Sequence, residues 1–145
     1  MSGPDPAPGV GDVLPWLKRV PGLAHWNRFA AVNDEFVPIH MDDEAGRRAG
    51  YPGAIGMGRL QWAYVHVLLR SWLPDGGRVE RVDLRFVAPN LRDRPVRVGG
   101  RVTAVEEAGA GGVERAGCRV AVELVVEDDA GACLARGSAR VHIPV

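Results

Sequence analysis

Cysteine is nearly absent: Cys118 and Cys133 are the only two in 145 residues, and no C-x-x-C spacing occurs. Two cysteines make one bridge at most, which excludes a disulfide framework. A reducing, cytoplasmic setting is the simpler expectation. Neither sign of charge is in excess, since 18 Lys and Arg stand against 18 Asp and Glu. Without net charge there is no long-range pull toward nucleic acid or acidic membranes, and neither is expected as a partner. Long hydrophobic runs are also missing. The greasiest stretch, Leu60 to Leu73, has 14 residues and contains Gln61, His66 and Arg70. It is too short and too polar to span a bilayer. The opening MSGPDPAPGVGD has neither a basic region nor an apolar core, so no secretory leader is read there. No His, Cys or carboxylate spacing suggests a metal site. The glycine runs lack the Lys-Ser/Thr of a phosphate loop. Neither metal nor organic cofactor is expected.

What is present suits one globular domain: 46% hydrophobic and 25% charged residues over a length able to bury a core. Residues 1–11 are rich in Pro and Gly and are expected to be disordered, with a single domain over 12–145. Residues 13–20, with Trp16 and Leu17, look like a packed lead-in. Leu23, Trp26, Ala30 and Ala31 have roughly helical spacing, which predicts a short helix over 23–32. A polar loop follows over 33–43, where Pro38 disfavours helix at Val37 and should keep the segment extended or turned. Asp43 is placed to cap a short helix running to Ala49, stopped by Gly50 and Pro52.

Gly53 to Gly58 then leads into a helix over about 59–73 that is apolar on nearly every side, which predicts burial. The remainder reads as strands: 78–88, 95–105, 118–126 and 132–143, with a Gly-rich hairpin loop at 106–117 and a tight turn at Asp128–Gly131. A sheet needs a cover for its apolar face, and the helix at 59–73 is the one element long enough. The expected fold class is α+β, an antiparallel sheet curled around one central helix.

Two places carry possible chemistry. The loop Asn33 to Asp43 holds Asp34, Glu35 and His40 within a few residues. A carboxylate and an imidazole can share one water, one taking its proton and the other holding or protonating it. Gly56-Met57-Gly58 opens the buried helix, where unpaired backbone N–H groups suit a carbonyl oxygen gaining negative charge. Together they form the minimum kit for adding water across a double bond conjugated to a thioester, or for removing it. Blander roles fit other residues. Asp42 and Asp43 should cap and solvate the short helix. His66 reads as a hydrogen-bonded core histidine. Trp62, Tyr64 and Trp72 read as core or dimer contact. Arg92, Arg94, Arg97 and Arg101 could meet the phosphates of a CoA or carrier arm, although a solvated strand face is the plainer reading.

The run Phe29-Ala30-Ala31-Val32-Asn33-Asp34-Glu35-Phe36-Val37-Pro38-Ile39-His40-Met41-Asp42, then Ala45, resembles the F-A-x-x-[ST]-G-D-x-N-P-I-H-x-D motif of MaoC-like dehydratases, or R-specific enoyl-CoA hydratases. Gly50-Tyr51-Pro52-Gly53-Ala54-Ile55-Gly56-Met57-Gly58-Arg59-Leu60 resembles the family's following G-x-P-G-x-I-x-H-G-M-L. The two runs align without a gap. Leu84 to Pro89 and Val98 to Thr103 are similar to later strands, so the likeness spans roughly 11 to 143. It implies a hotdog fold, pairing of sheets between two subunits, and a site between them. It implies a CoA or acyl-carrier-protein thioester as substrate, with a homodimer or a hetero-oligomer with a related subunit as the working form. By position it implies His40 and a carboxylate as the water-handling pair, and the Gly58 N–H as the carbonyl donor. The motif aspartate falls on Glu35, with Asp34 as the other candidate. The glycine before it falls on Asp34, the motif asparagine on Val37, and the histidine before the second glycine on Met57; Val37 and Met57 would therefore line the substrate site. These departures leave a second reading open, an altered or inactive hotdog subunit that binds an acyl thioester or pairs with an active relative. A thioesterase is a third, since hotdog folds host that chemistry too.

Overall fold

A computed structural model describes residues 7–109 and 116–144. In chain order it contains β1 (Leu17–Arg19), α1 (Leu23–Asn33), α2 (Pro38–Met41), α3 (Asp43–Arg48), α4 (Gly58–Trp72), β2 (Arg78–Phe86), β3 (Val96–Ala108), β4 (Gly117–Asp128) and β5 (Cys133–Pro144). The strands form one sheet in the order β1-β3-β4-β5-β2, with every neighbouring pair antiparallel.

Strict alternation sets which face is buried. Val96, Val98 and Val102 of β3, and Val120, Val122, Leu124 and Val126 of β4, turn inward. Val65, Leu68 and Leu69 of α4 cover them in the main core. Each such side chain removed from water contributes roughly 1.5–3 kcal/mol, so this layer dominates stability. Asp128 closes the β4–β5 turn by accepting from the Ala130 and Ala132 amides. The hairpin loop read between β3 and β4 lies in part outside the described residues, and so does part of the 1–11 segment; β3 itself continues to Ala108. Within the lead-in, Gly11 N–H donates to the Val102 carbonyl at 2.8 Å and Leu14 N–H to that of Gly100 at 2.9 Å.

Three local expectations need correction. Pro38 does not hold the chain extended: it opens α2 as the first helical residue, a position whose N–H is unpaired in any case. The restriction expected on Val37 does hold, since that residue is extended at φ −85°, ψ 128°. Asp42, not Asp43, caps α3, accepting from the Glu44 and Ala45 amides at 3.0 and 3.2 Å. Nor is α4 buried all round. Its inner stripe is Gln61, Val65, Leu68 and Leu69, whereas Trp62 and Val67 are each 42% exposed on the other side.

Candidate active site

The site is built where α2, the loop at 53–57 and the start of α4 meet. His40 lies on α2 and is 9% exposed. Its Nδ1 is 2.8 Å from the Ile55 carbonyl oxygen. A carbonyl only accepts, so Nδ1 must carry the proton. Nε2 is then the nitrogen with a free lone pair. The same residues are tied a second time, since Ile55 N–H donates to the Ile39 carbonyl at 2.9 Å.

The loop bearing Ile55 is held from both sides. Asp43 accepts from the Ala54 N–H at 3.0 Å and from the Arg92 guanidinium. The Arg92 hydrogen bond, then that of Ala54, lowers the Asp43 carboxyl from 3.8 to about 2. Gly56 N–H donates to the Asn90 carbonyl at 2.7 Å, and Ile55 pairs with Leu91 as an isolated bridge. Gly46 is obligatory beneath this loop, because a Cβ there would collide with the Gly53 carbonyl.

At the start of α4 the Leu60 and Gln61 amides turn back to the Met57 carbonyl, at 3.1 and 3.5 Å. Gly58 and Arg59 are then the first-turn amides without a partner among the described residues. A Cβ on Gly58 would stand 3.2 Å from the Phe86 ring, so the strand end approaches this turn closely. The resulting open cleft, about 290 Å³, is lined by His40, Tyr51, Ile55, Gly56, Gly58, Gln61, Phe86, Val87, Ala88 and Pro89. Nothing in it resembles a metal centre: among the described residues no cluster of three His, Cys, Asp or Glu is placed to hold an ion.

The sequence-derived candidates are not all gathered here. His40 and Gly58 share the cleft. Asp34 is exposed and caps α1 in the left-handed region at φ 52°. Glu35 follows it, half-buried, with Oε2 buried and without a partner among the described residues. Its carboxylate is not on the cleft lining. Val37 is 41% exposed at the head of α2, also off the lining. Met57 is fully buried, packed with Trp26, Ala30, Ala54 and Leu60 in a second core.

His66 is not the hydrogen-bonded core residue expected. It is partly exposed on α4, its ring centroid 6.1 Å from that of Trp62, and burial, aided by the Arg70 charge, lowers its pKa. The four arginines are all engaged: Arg92 with Asp43, Arg94 with Asp129 at 3.5 Å, Arg97 with Glu127 at 2.7 Å, and Arg101 with the Gly11 carbonyl at 3.1 Å. Sequence reasoning missed Gln61, which is 3% exposed, lines the cleft, and has an Oε1 with no donor among the described residues. Its signal, a polar member of an otherwise apolar inward stripe, is readable only once the inward face of α4 is known.

The MaoC like domain family model matches residues 17–128. The chain belongs to the MaoC-like domain family. Solved structures agree. This MaoC-like chain is similar to the (R)-hydratase from A. caviae involved in PHA biosynthesis, with 24% identity, 95% of this chain and 98% of that one covered, and a TM-score of 0.83. An R-hydratase from Pseudomonas aeruginosa gives 23%, 94% and 82%, and 0.79. The ChsH1-ChsH2 complex from Mycobacterium tuberculosis gives 19%, 93% and 98%, and 0.78. The shared architecture is the hotdog fold, with α4 lying in the curve of the sheet. No curated protein matches the sequence significantly.

Proposed function

We propose that this MaoC-like chain interconverts 2-enoyl and 3-hydroxyacyl thioesters, carried on CoA or on an acyl carrier protein, by adding or removing water. The observation that carries the reading is His40: a buried ring with Nδ1 fixed on the Ile55 carbonyl and Nε2 left for a ligand, in one cleft with the start of α4. In hydration, Nε2 takes a proton from water as its oxygen bonds to C3. The C2–C3 π electrons move toward the thioester, and the oxygen that gains charge is met by the Gly58 N–H. C2 then takes the proton back from Nε2, which completes the addition of one water. The thioester itself stabilises the intermediate charge, so the reaction calls for no metal or organic cofactor.

The Asp34 backbone supports Glu35 as the carboxylate of the pair. Asp34 adopts the left-handed conformation that glycine favours, and the family motif has glycine at this place. Glu35 then falls where the motif has aspartate, one methylene longer. Hydration of short and medium 2-enoyl-CoA, followed by loss of enoyl absorbance, tests the reading. Loss of activity in Glu35→Gln but not in Asp34→Asn assigns the carboxylate role to Glu35, the reverse assigns it to Asp34, and activity kept in both leaves the water to His40 and an acceptor on the cleft lining.

The same reading includes a second hotdog subunit, either a copy of this chain or a relative. Phe86 and Val87 line the cleft yet are 46% and 54% exposed, and β2 is a sheet edge. The ChsH1-ChsH2 neighbour, and a further neighbour, HadBC (3R-hydroxyacyl-ACP dehydratase) from Mycobacterium tuberculosis, are complexes. A catalytically silent partner subunit is the second reading, favoured by the absence of Glu35 from the cleft lining. It requires that purified homomer be inactive and that a relative restore activity. Cys118 and Cys133 are free, which fits a reducing cytoplasm, and no helix among the described residues is long and apolar enough to cross a membrane.

A further inference from the structure

Gln61 lies at an inward position of α4, 3% exposed, in the cleft shared by His40 and Gly58. Gly58 and Gln61 are three residues apart, so they share one helix face. A helical side chain leans back toward the helix N-terminus, and for Gln61 that is the direction of the turn whose Gly58 and Arg59 amides have no partner among the described residues. Its Oε1 has no donor among the described residues. A buried acceptor without a donor is costly, and natural cores avoid it unless a ligand or water completes the bond.

The reaction itself names the missing donor. The thioester carbonyl only accepts and cannot satisfy Oε1. The reacting water has two hydrogens: one goes to His40 Nε2, and the other needs an acceptor. The Glu35 carboxylate is not on the cleft lining, whereas Gln61 is. We propose that Gln61 Oε1 holds the reacting oxygen, accepting from the water in hydration and from the 3-hydroxyl in dehydration. Proton transfer stays with His40, and Gln61 sets the direction from which the oxygen approaches C3. The inference rests on the hydratase reading and deepens it.

The test compares wild type with Gln61→Met, close in shape but without an acceptor oxygen, and with Gln61→Glu, which returns one. Hydration of 2-enoyl-CoA and thermal midpoint are measured on each. The expected result is a kcat about 10- to 100-fold lower in Gln61→Met with KM changed less than threefold. Its midpoint should rise by about 2–6 °C, because an unpaired buried acceptor has been removed. Gln61→Glu should recover activity above the Met variant. A Met variant within twofold of wild type overturns the inference and leaves the hydratase reading standing. So does a Met variant whose activity and midpoint fall together, since that marks a structural glutamine. An inactive wild type overturns the hydratase reading and this inference with it.

Discussion

Asp43 and His40 stand three residues apart and both hold the loop at 54–56, but one is saturated and the other is not. Asp43 receives the Ala54 amide and the Arg92 guanidinium, and Asp42 beside it receives two amides of α3. His40 lines the cleft, gives Nδ1 to the Ile55 carbonyl, and has no partner on Nε2 among the described residues. Glu35 and Gln61 likewise each keep a buried oxygen without a donor among the described residues. Folded proteins pair buried polar groups wherever they can. The saturated set fixes the backbone; the unsaturated set is the one that the proposed reaction would use. In the sequence both are polar residues of one loop, set apart by the motif that holds His40 and by the capping role read for Asp43.

Removing the open nitrogen should have the largest effect. His40→Ala is expected to lower the hydration rate by about 10²- to 10⁴-fold, the range for a positioned general base, while far-UV circular dichroism stays that of wild type. Equal rates would leave the open nitrogen without a role. Next comes the saturated side. Asp43→Ala should cost about tenfold in rate through a displaced loop, and stopped assays at saturating substrate would read it as a fall in kcat.

The same residue sharpens the comparison through pH. Because Arg92 and the Ala54 amide depress its folded pKa to about 2 from 3.8, Asp43 holds its proton less tightly folded than unfolded. Its stabilisation is therefore complete above 3.8 and lost as pH falls through about 2. The stability difference between wild type and Asp43→Asn, taken from denaturant midpoints, should close over that window; a constant difference would mean that the carboxylate charge is irrelevant. The smallest effect belongs to His66, whose pKa is lowered by burial and then by Arg70. Folding favours its neutral form, so stability should rise slightly as pH rises toward 6.5, and His66→Gln should flatten that slope.

The sheet was legible because a two-residue period is written directly in Val96, Val98 and Val102 and in Val120, Val122, Leu124 and Val126. The central helix was legible as an element, starting at Gly58 rather than about 59. Its one-sidedness was not, because Trp62 and Val67 are apolar residues on an exposed face. One-turn α2 was hidden by Pro38, which reads as a helix breaker until its place at the first helical position is known. His40 could be picked out by motif. Its partner could not, since a backbone carbonyl 15 residues away has no side-chain signature. Gln61 was passed over because its meaning depends on which face of α4 is buried.

One measurement reaches the central claim directly: purified protein with 2-enoyl-CoA of short and medium chain length, followed by enoyl absorbance. Steady loss of absorbance, abolished in His40→Ala, is the predicted result. No loss with any chain length would contradict the hydratase account and leave the chain as a partner subunit whose open cleft serves binding alone.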